Sequence, residues 1–398
     1  MTRVTPHYGN QSTPSVTFKS KRILIWVAVT LLCAFIVKST EIVQWGDSSR
    51  EGQYPGLTNA PIDLTNAVAL SAGFYHNLAL TSDGRVVAWG NNNSGQTNVP
   101  TDLSNVVAFA AGAFHNLAVT SDGHVRGWGD NTYGQANAPS GLSNIVQVSA
   151  GEYHSVALQA DGRVVAWGNF FNGVTNDPAV VPASLSNCVT IASGASHALG
   201  VTANGRVIVW GLSSRTNTPP GLSNVVAITA GRDASIALAL NGQLTVWPAN
   251  SSPLTNIASM LTNVVSISME RLWSIALLAN GTIEAWGGVT PGLDYGQTNP
   301  PTGLSDVVMV AAGRYHGLAL VNHANSATSW SLPVSTITTN GAALHLPTQR
   351  GRLYVVEYSP SLNPDSWTVQ QRMAGDGAVH QLSFPNASQG FHRVRRVP

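Results

Sequence analysis

Gly151-Glu-Tyr-His154-Ser-Val-Ala-Leu158-Gln-Ala-Asp161-Gly162-Arg-Val-Val-Ala-Trp167-Gly168 decides the fold, because the chain says it again and again. Close copies run from Gly73 to Gly90, Gly112 to Gly129 and Gly194 to Gly211, and looser ones from Gly231 to Trp247 and Glu270 to Gly287. Self-similarity at a fixed spacing marks a repeat architecture, in which each unit buries its apolar surface against its neighbours. Within the unit, His154 to Gln159 and Arg163 to Trp167 are short runs rich in Val, Leu and Trp. Asp161-Gly162 between them is the pair that supplies positive φ angles to a tight hairpin turn. Ile145 to Ser149 adds a third strand just upstream. The runs lack the clean alternation that one wet face imposes, so each small sheet is expected to be covered on both faces.

How the array ends follows from counting. Trp-Gly, once Trp-Pro, occurs at Trp45, Trp89, Trp128, Trp167, Trp210, Trp247 and Trp286. The Gly-x-x-His element or its remnant starts at Gly73, Gly112, Gly151, Gly194, Gly231, Glu270 and Gly313. The chain opens with a Trp-Gly strand that lacks its upstream partner and closes with a Gly-x-x-His strand that lacks its Trp-Gly. Two complementary half-units pair and close a ring, where an open solenoid needs polar caps. The expectation is an all-β, seven-bladed β-propeller over residues 40–326, its last blade completed by Glu41 to Gly46.

Ala-Gly-x-Tyr/Phe-His-x-x-Ala-Leu, then Asp-Gly-x-Val, Trp-Gly-x-Asn and Gly-Gln (Gly95-Gln96, Gly134-Gln135, Gly296-Gln297) resembles the regulator of chromosome condensation repeat family. That resemblance implies a seven-bladed propeller. The short period and the wording Gly95 to Pro100 look closer to the compact bacterial branch that includes the propeller-type β-lactamase inhibitory protein. Those relatives bind proteins and catalyse nothing, which implies no enzyme here.

The flanks differ from the array. Residues 1–39 hold no acidic residue and end a polar stretch in Lys19-Ser-Lys21-Arg22, before the 15-residue apolar run Ile23 to Val37. That run is short for a bilayer-spanning helix and has the length of a signal-peptide core, with cleavage expected near Val37-Lys38-Ser39. The alternative is an uncleaved anchor, so contact with a membrane would come only through residues 23–37. Either reading places the protein outside the cytoplasm, secreted, periplasmic or on the cell surface. Residues 327–398 lose the period. Ala343 to Leu346, Arg352 to Tyr358, Trp367 to Gln371, Val379 to Phe384 and Phe391 to Val397 read as five strands of a small terminal β module. Its wording resembles small terminal modules of secreted bacterial proteins.

Charge bears on partners. The whole chain is nearly neutral at +1, but from Thr40 onward 15 Arg face 19 acidic residues, and over residues 40–326 the count is 9 against 16. A phosphate backbone needs a cationic face, so nucleic acid is not expected as a ligand. The expected partner is another protein, bound by a monomer.

His76, His115, His154, His197 and His316 recur at one place in the unit and read as buried, hydrogen-bonded fixtures; symmetry spreads them around a ring, so neither a metal nor any other cofactor is expected. No catalytic motif is present. The residues just before each His sit on loops at one rim: Phe74, Tyr75, Phe114, Tyr153, Arg232, Asp233, Arg271, Arg314 and Tyr315. Aromatics and arginines anchor protein interfaces, so these are the expected binding residues. Units five and six, with Arg232-Asp-Ala-Ser235 and Met269-Glu-Arg-Leu-Trp273, diverge most and are read as having lost the Gly-Gln element. A further departure is the extended connection from Phe170 to Val181.

Overall fold

The computed structural model describes residues 40–46, 56–171, 176–212, 216–248, 254, 258, 260–287, 295–322, 343–347, 353–359, 368–375, 379–383 and 391–397. The expected export segment 1–39 and the expected linker from Ser326 lie outside the described residues.

Seven antiparallel sheets carry the array. Blade 1 comprises Ala67–Ala72, His76–Thr81 and Val86–Gly90; blade 2, Val106–Ala111, His115–Thr120 and Val125–Gly129. Blade 3 comprises Ile145–Ala150, His154–Gln159 and Val164–Phe171, with Asn176–Pro178 as a fourth strand; blade 4, Cys188–Ser193, His197–Thr202 and Val207–Gly211. Blade 5 comprises Val225–Ala230, Ser235–Ala239 and Leu244–Trp247; blade 6, Val264–Glu270, Trp273–Leu278 and Ile283–Gly287. Blade 7 takes Val307–Ala312 and His316–Asn322 from one end of the array and Thr40–Gly46 from the other, in register from Thr40 opposite Asn322 to Gly46 opposite His316. Its residues Leu318 and Leu320 share an apolar cluster with Leu70, Ala79 and Trp89 of blade 1. The first strand of every blade borders a central cavity of about 280 Å³.

The middle strands are buried almost throughout, because each has a strand on either side and a neighbouring blade on either face. Leu78, Leu117, Val156, Leu199, Ile236, Ile275 and Leu318 are fully buried at corresponding positions. Each such side chain contributes roughly 1.5–3 kcal/mol, so the packing between blades is the main source of stability. Cys188 is buried, and its thiol donates to Thr190 O at 3.2 Å.

The hairpin turns differ in detail from the expected form. Only the glycine has positive φ, 79° at Gly84 and 86° at Gly162, and Gly84 N–H bonds Thr81 O while Thr81 N–H bonds Arg85 O. This is a three-residue turn ending on a left-handed glycine, and the Asp acts through its side chain instead. Asp83 accepts from Thr81 Oγ1 and Arg85 Nε. A second recurring device escaped the sequence reading: Leu-Ser-Asn or a close variant precedes the first strand of most blades. Asn105, Asn144, Asn187, Asn224, Asn263 and Asp306 are left-handed there, φ 51–57°, a conformation that Asn and Asp tolerate best among residues with a side chain.

The Gly-Gln element is also lost differently than expected. Gly296-Gln297 follows the last strand of blade 6, and Gln297 O accepts from Trp45 Nε1 at 2.8 Å. Gln96 O and Gln135 O do the same for Trp128 and Trp167. The element is missing after blades 3, 4 and 5. In consequence the indole nitrogens of Trp210 and Trp247 are buried without a partner among the described residues, and Trp286 bonds Leu254 O instead.

The C-terminal strands are Ala343–Pro347, Leu353–Ser359, Thr368–Ala374, Val379–Ser383 and Phe391–Val397, forming a two-stranded and a three-stranded sheet. Leu353, Val355 and Arg372 of these strands pack on the ring. Leu353 and Val355 join the apolar cluster of Val226, Val264 and Val265. Arg372, 4% exposed, donates from Nε and Nη2 to Val264 O at 2.9 and 2.6 Å. At the other junctions between consecutive units the first strand of one blade bonds back to the turn glycine of the previous one, as Val106 N–H to Gly84 O and Val225 N–H to Gly205 O. Among the described residues no such bond joins Val264 and Gly242. A Cβ on Gly242 would lie 2.8 Å from Arg372 Nη1, where the other turn glycines meet an Asn or Asp of the next blade. The module thus inserts a guanidinium between blades 5 and 6.

Candidate functional site

Six of the seven units build the same corner, blade 6 having Glu270 where the glycine stands. The Gly N–H bonds back to the His carbonyl, 2.8 Å from Gly73 to His76 O and 2.9 Å from Gly313 to His316 O, which pins the two intervening residues at the rim. Glycine is required because a Cβ on Gly73 would come within 2.5 Å of Gly112 O. Behind the corner the His reaches the next blade. His76 Nε2 lies 2.7 Å from Asn116 Oδ1, His115 Nε2 2.9 Å from Ser155 Oγ, His197 Nε2 2.8 Å from Ser235 Oγ and His316 Nε2 2.6 Å from Asn77 Oδ1. Ser155 Oγ itself donates to Gln135 O, so it accepts from His115 Nε2–H. Burial pushes the rings down to about 4 at His76 and about 3 at His115, His154 and His316, keeping them neutral.

The belt breaks where a partner residue is replaced. Ala198 stands opposite His154, whose two ring nitrogens are buried without partners among the described residues and whose ring lies 4.5 Å from Phe170 of the extended connection. Ala234 stands in place of a His in blade 5, which leaves Ser274 Oγ of blade 6 without a partner among the described residues. Trp273 takes the His place in blade 6 and donates to Gly313 O. The His residues are therefore blade-to-blade joints. Among the described residues no group of three or more His, Cys, Asp or Glu is placed to hold a metal ion.

The rim residues fall into two halves. Phe74, Tyr75 and Tyr315 are 5–7% exposed and pack together with Phe114 and Tyr295. Ring centroids are 5.6 Å apart for Phe74 and Phe114, 6.0 Å for Tyr75 and Tyr315, and 4.8 Å for Tyr295 and Tyr315. The Arg314 guanidinium lies over Phe74 at 4.9 Å, Tyr315 at 5.4 Å and Tyr75 at 5.5 Å. Of the expected binding residues, Phe74, Tyr75 and Tyr315 are thus mostly spent on one another, and they present a rigid floor where free anchors were expected. Phe114, Tyr153, Arg271, Arg314 and Asp233 are partly exposed, and Arg232 is exposed. Tyr153 packs on Tyr133 at 5.1 Å, and burial with the neighbouring Glu152 carboxylate pushes its hydroxyl up to about 12.

The other half is charged. Glu152 and Glu270, which the sequence reading did not single out, border the central cavity beside Phe74. Burial raises the Glu270 carboxyl to about 8; Arg314 and Arg232 oppose this and Glu152 adds to it. Burial also raises Glu152, against the pull of Arg232 and Arg314. Arg271 reaches Tyr315 Oη at 3.4 Å. No ion pair within 4.0 Å joins Glu152 or Glu270 to Arg232, Arg271 or Arg314. The signal in the sequence was a carboxylate standing where the repeat has glycine, at Glu270, and another inside a Gly-x-x-His corner, at Glu152.

With this geometry in view, the regulator of chromosome condensation (RCC1) repeat family matches residues 67–96, 106–135, 145–174 and 188–215, which are blades 1 to 4. Blades 1 to 4 are RCC1 repeats. Blades 5 and 6, whose corners diverge, lie outside the match, as does blade 7, whose corner keeps Gly313 and His316. Solved structures with the same fold include human WBSCR16, 18% identical over 72% of this chain and 99% of that one, TM-score 0.55. Prp20p of Saccharomyces cerevisiae is 21% identical over 73% and 93%, TM-score 0.55. The ectodomain of the Physcomitrella patens receptor kinase CR4 is 21% identical over 76% and 87%, TM-score 0.53. At these identities the likeness speaks for the RCC1-type propeller fold alone.

Proposed function

We propose that this RCC1-repeat propeller is an exported, non-catalytic scaffold that binds another protein through the rim formed by its Gly-x-x-His corners. The observation that carries the reading is the asymmetry of that rim. Aromatics and an arginine are stacked on one side, and Glu152, Arg232, Asp233, Glu270 and Arg271 lie on the other. An asymmetric partner needs a broken symmetry, while packing between blades needs none. Prp20p, which binds Gsp1p and histones, and the CR4 ectodomain support a binding role and an extracytoplasmic one respectively. Within this reading, the resemblance to the compact bacterial branch favours a secreted inhibitor of a β-lactamase or penicillin-binding type enzyme as one specific target class.

The test is capture from the source organism's envelope and secreted fractions with the full chain as bait. The expected result is a protein retained by the native chain and lost with Phe114→Ala/Tyr153→Ala/Arg232→Ala. Equal retention by that variant overturns the rim reading. A second reading, a glycan-binding or catalytic central pocket, rests on Glu152 and Glu270 facing one cavity. Turnover or retention of a glycan abolished by Glu270→Gln would favour it.

A further inference from the structure

Two polar atoms are left over, one on the cavity wall at Glu270 and one on Arg314, stacked on Phe74 of that wall. Glu270 Oε1 and Arg314 Nε are buried with no hydrogen-bond partner among the described residues, although burial without a partner is costly for both. The Arg314 guanidinium lies over Phe74, a ring that borders the same cavity as Glu270 and Glu152. Arg232, Arg271 and Arg314 are three of the nine arginines of residues 40–326, gathered at one end of a ring that is otherwise acidic. Stacking fixes Arg314 in place, yet among the described residues no carboxylate forms an ion pair with it within 4.0 Å.

We propose that the mouth of the ring is a receptor for one carboxylate, an Asp or Glu side chain presented by a bound protein, held by Arg314 within the positive potential of Arg232 and Arg271. The inference rests on the rim being the protein-binding face and names the chemistry at its centre. Donor and acceptor capacity select the ligand. An arginine Nε only donates, so a cationic group cannot satisfy it, whereas a carboxylate accepts from Arg314 and also from Glu270 when that group carries its proton. Glu270 does carry it at neutral pH, since burial holds its carboxyl at about 8. The groups acting on it are Arg314, Arg232, Glu152 and the Arg271 N–H, with Asp233 acting on Glu152. At pH 7 the mouth then sets three arginines against Glu152 and Asp233. A cavity of about 280 Å³ admits an acidic side chain with water to spare, one water taking about 30 Å³.

The experiment is calorimetric titration of the full chain with N-acetyl-glutamate N-methylamide, its glutamine analogue and its lysine analogue. The glutamate probe is expected to bind at least about tenfold more tightly than the other two, from the loss of charge-assisted bonds. Between pH 7 and 9 its affinity should fall about tenfold, with proton uptake on binding at pH 9, because Glu270 must stay protonated. Glu270→Gln should keep binding at pH 7 and flatten the pH profile. Arg314→Gln should lose it, and Arg232→Gln, an exposed change that leaves the fold alone, should weaken it several-fold. Preference for the lysine probe, affinity that rises with pH, or indifference to both arginine changes overturns the proposal. A captured partner that excess glutamate probe fails to displace overturns it too, while leaving the rim reading in place.

Discussion

Replacing Arg372 by Met tests whether the C-terminal module is a clasp on the ring or a passenger. The guanidinium is 4% exposed, makes two hydrogen bonds to Val264 O and feels the carboxylate of the fully buried Glu357. Burial lowers the Arg372 group from 12.5 to about 10, so holding the charge there costs about 3 kcal/mol. Methionine removes that penalty and keeps most of the volume. It also strands Val264 O and leaves Glu357 without this cation; breaking one side of a buried pair costs about 3–5 kcal/mol. The expected net loss is about 2–4 kcal/mol. At roughly 2 °C per kcal/mol for a chain of this size, thermal melting should fall by about 4–8 °C. Limited proteolysis should cut between blade 7 and the module sooner than in the native chain. Arg372→Met/Glu357→Leu, which removes both charges, should recover most of the loss. A single variant that melts within 1 °C of the native protein and resists protease equally, a threshold of about 0.5 kcal/mol, would show that the guanidinium does not join module and ring.

Two further outcomes follow from the joints between blades. Ser155→Ala removes the acceptor of His115 Nε2 and the donor to Gln135 O, so denaturant unfolding should show a loss of about 1–3 kcal/mol with an unchanged slope; a loss below about 0.5 kcal/mol refutes the joint. Acid should unfold the ring early. His76, His115, His154 and His316 have folded values of about 4, 3, 3 and 3 against 6.5 unfolded. The unfolded chain therefore binds more protons below pH 6.5, and stability present above that pH is lost on acidification, at about 1.4 kcal/mol per unit per ring. By pH 5 the four rings remove about 8 kcal/mol. Glu270, raised to about 8, works the other way over the same window and returns about 2, with Glu152 adding in the same direction. Stability against urea should drop by several kcal/mol between pH 6.5 and 5, and a flat profile there contradicts the buried neutral rings.

Strand positions, the blade count and the family were readable because each rests on local chemistry repeated many times: a turn glycine, a Trp-Gly end, a corner too tight for any Cβ at Gly73. Even the odd half-units at Trp45 and Gly313 were legible, since complementarity is a property of the list. The candidate site was only half legible. Residue types at the rim could be named, but burial of Phe74, Tyr75 and Tyr315 beneath Arg314 depends on loops from blades 1, 2 and 7 meeting across the ring closure. The meeting of Glu152 from blade 3 with Glu270 from blade 6 depends on ring curvature in the same way. Nor does any pattern around Arg372 announce its insertion beside Gly242, 130 residues earlier in the chain. Repetition writes into the sequence what every unit needs from its neighbour; what distant units do to one another at the axis or the edge is set only once the ring exists.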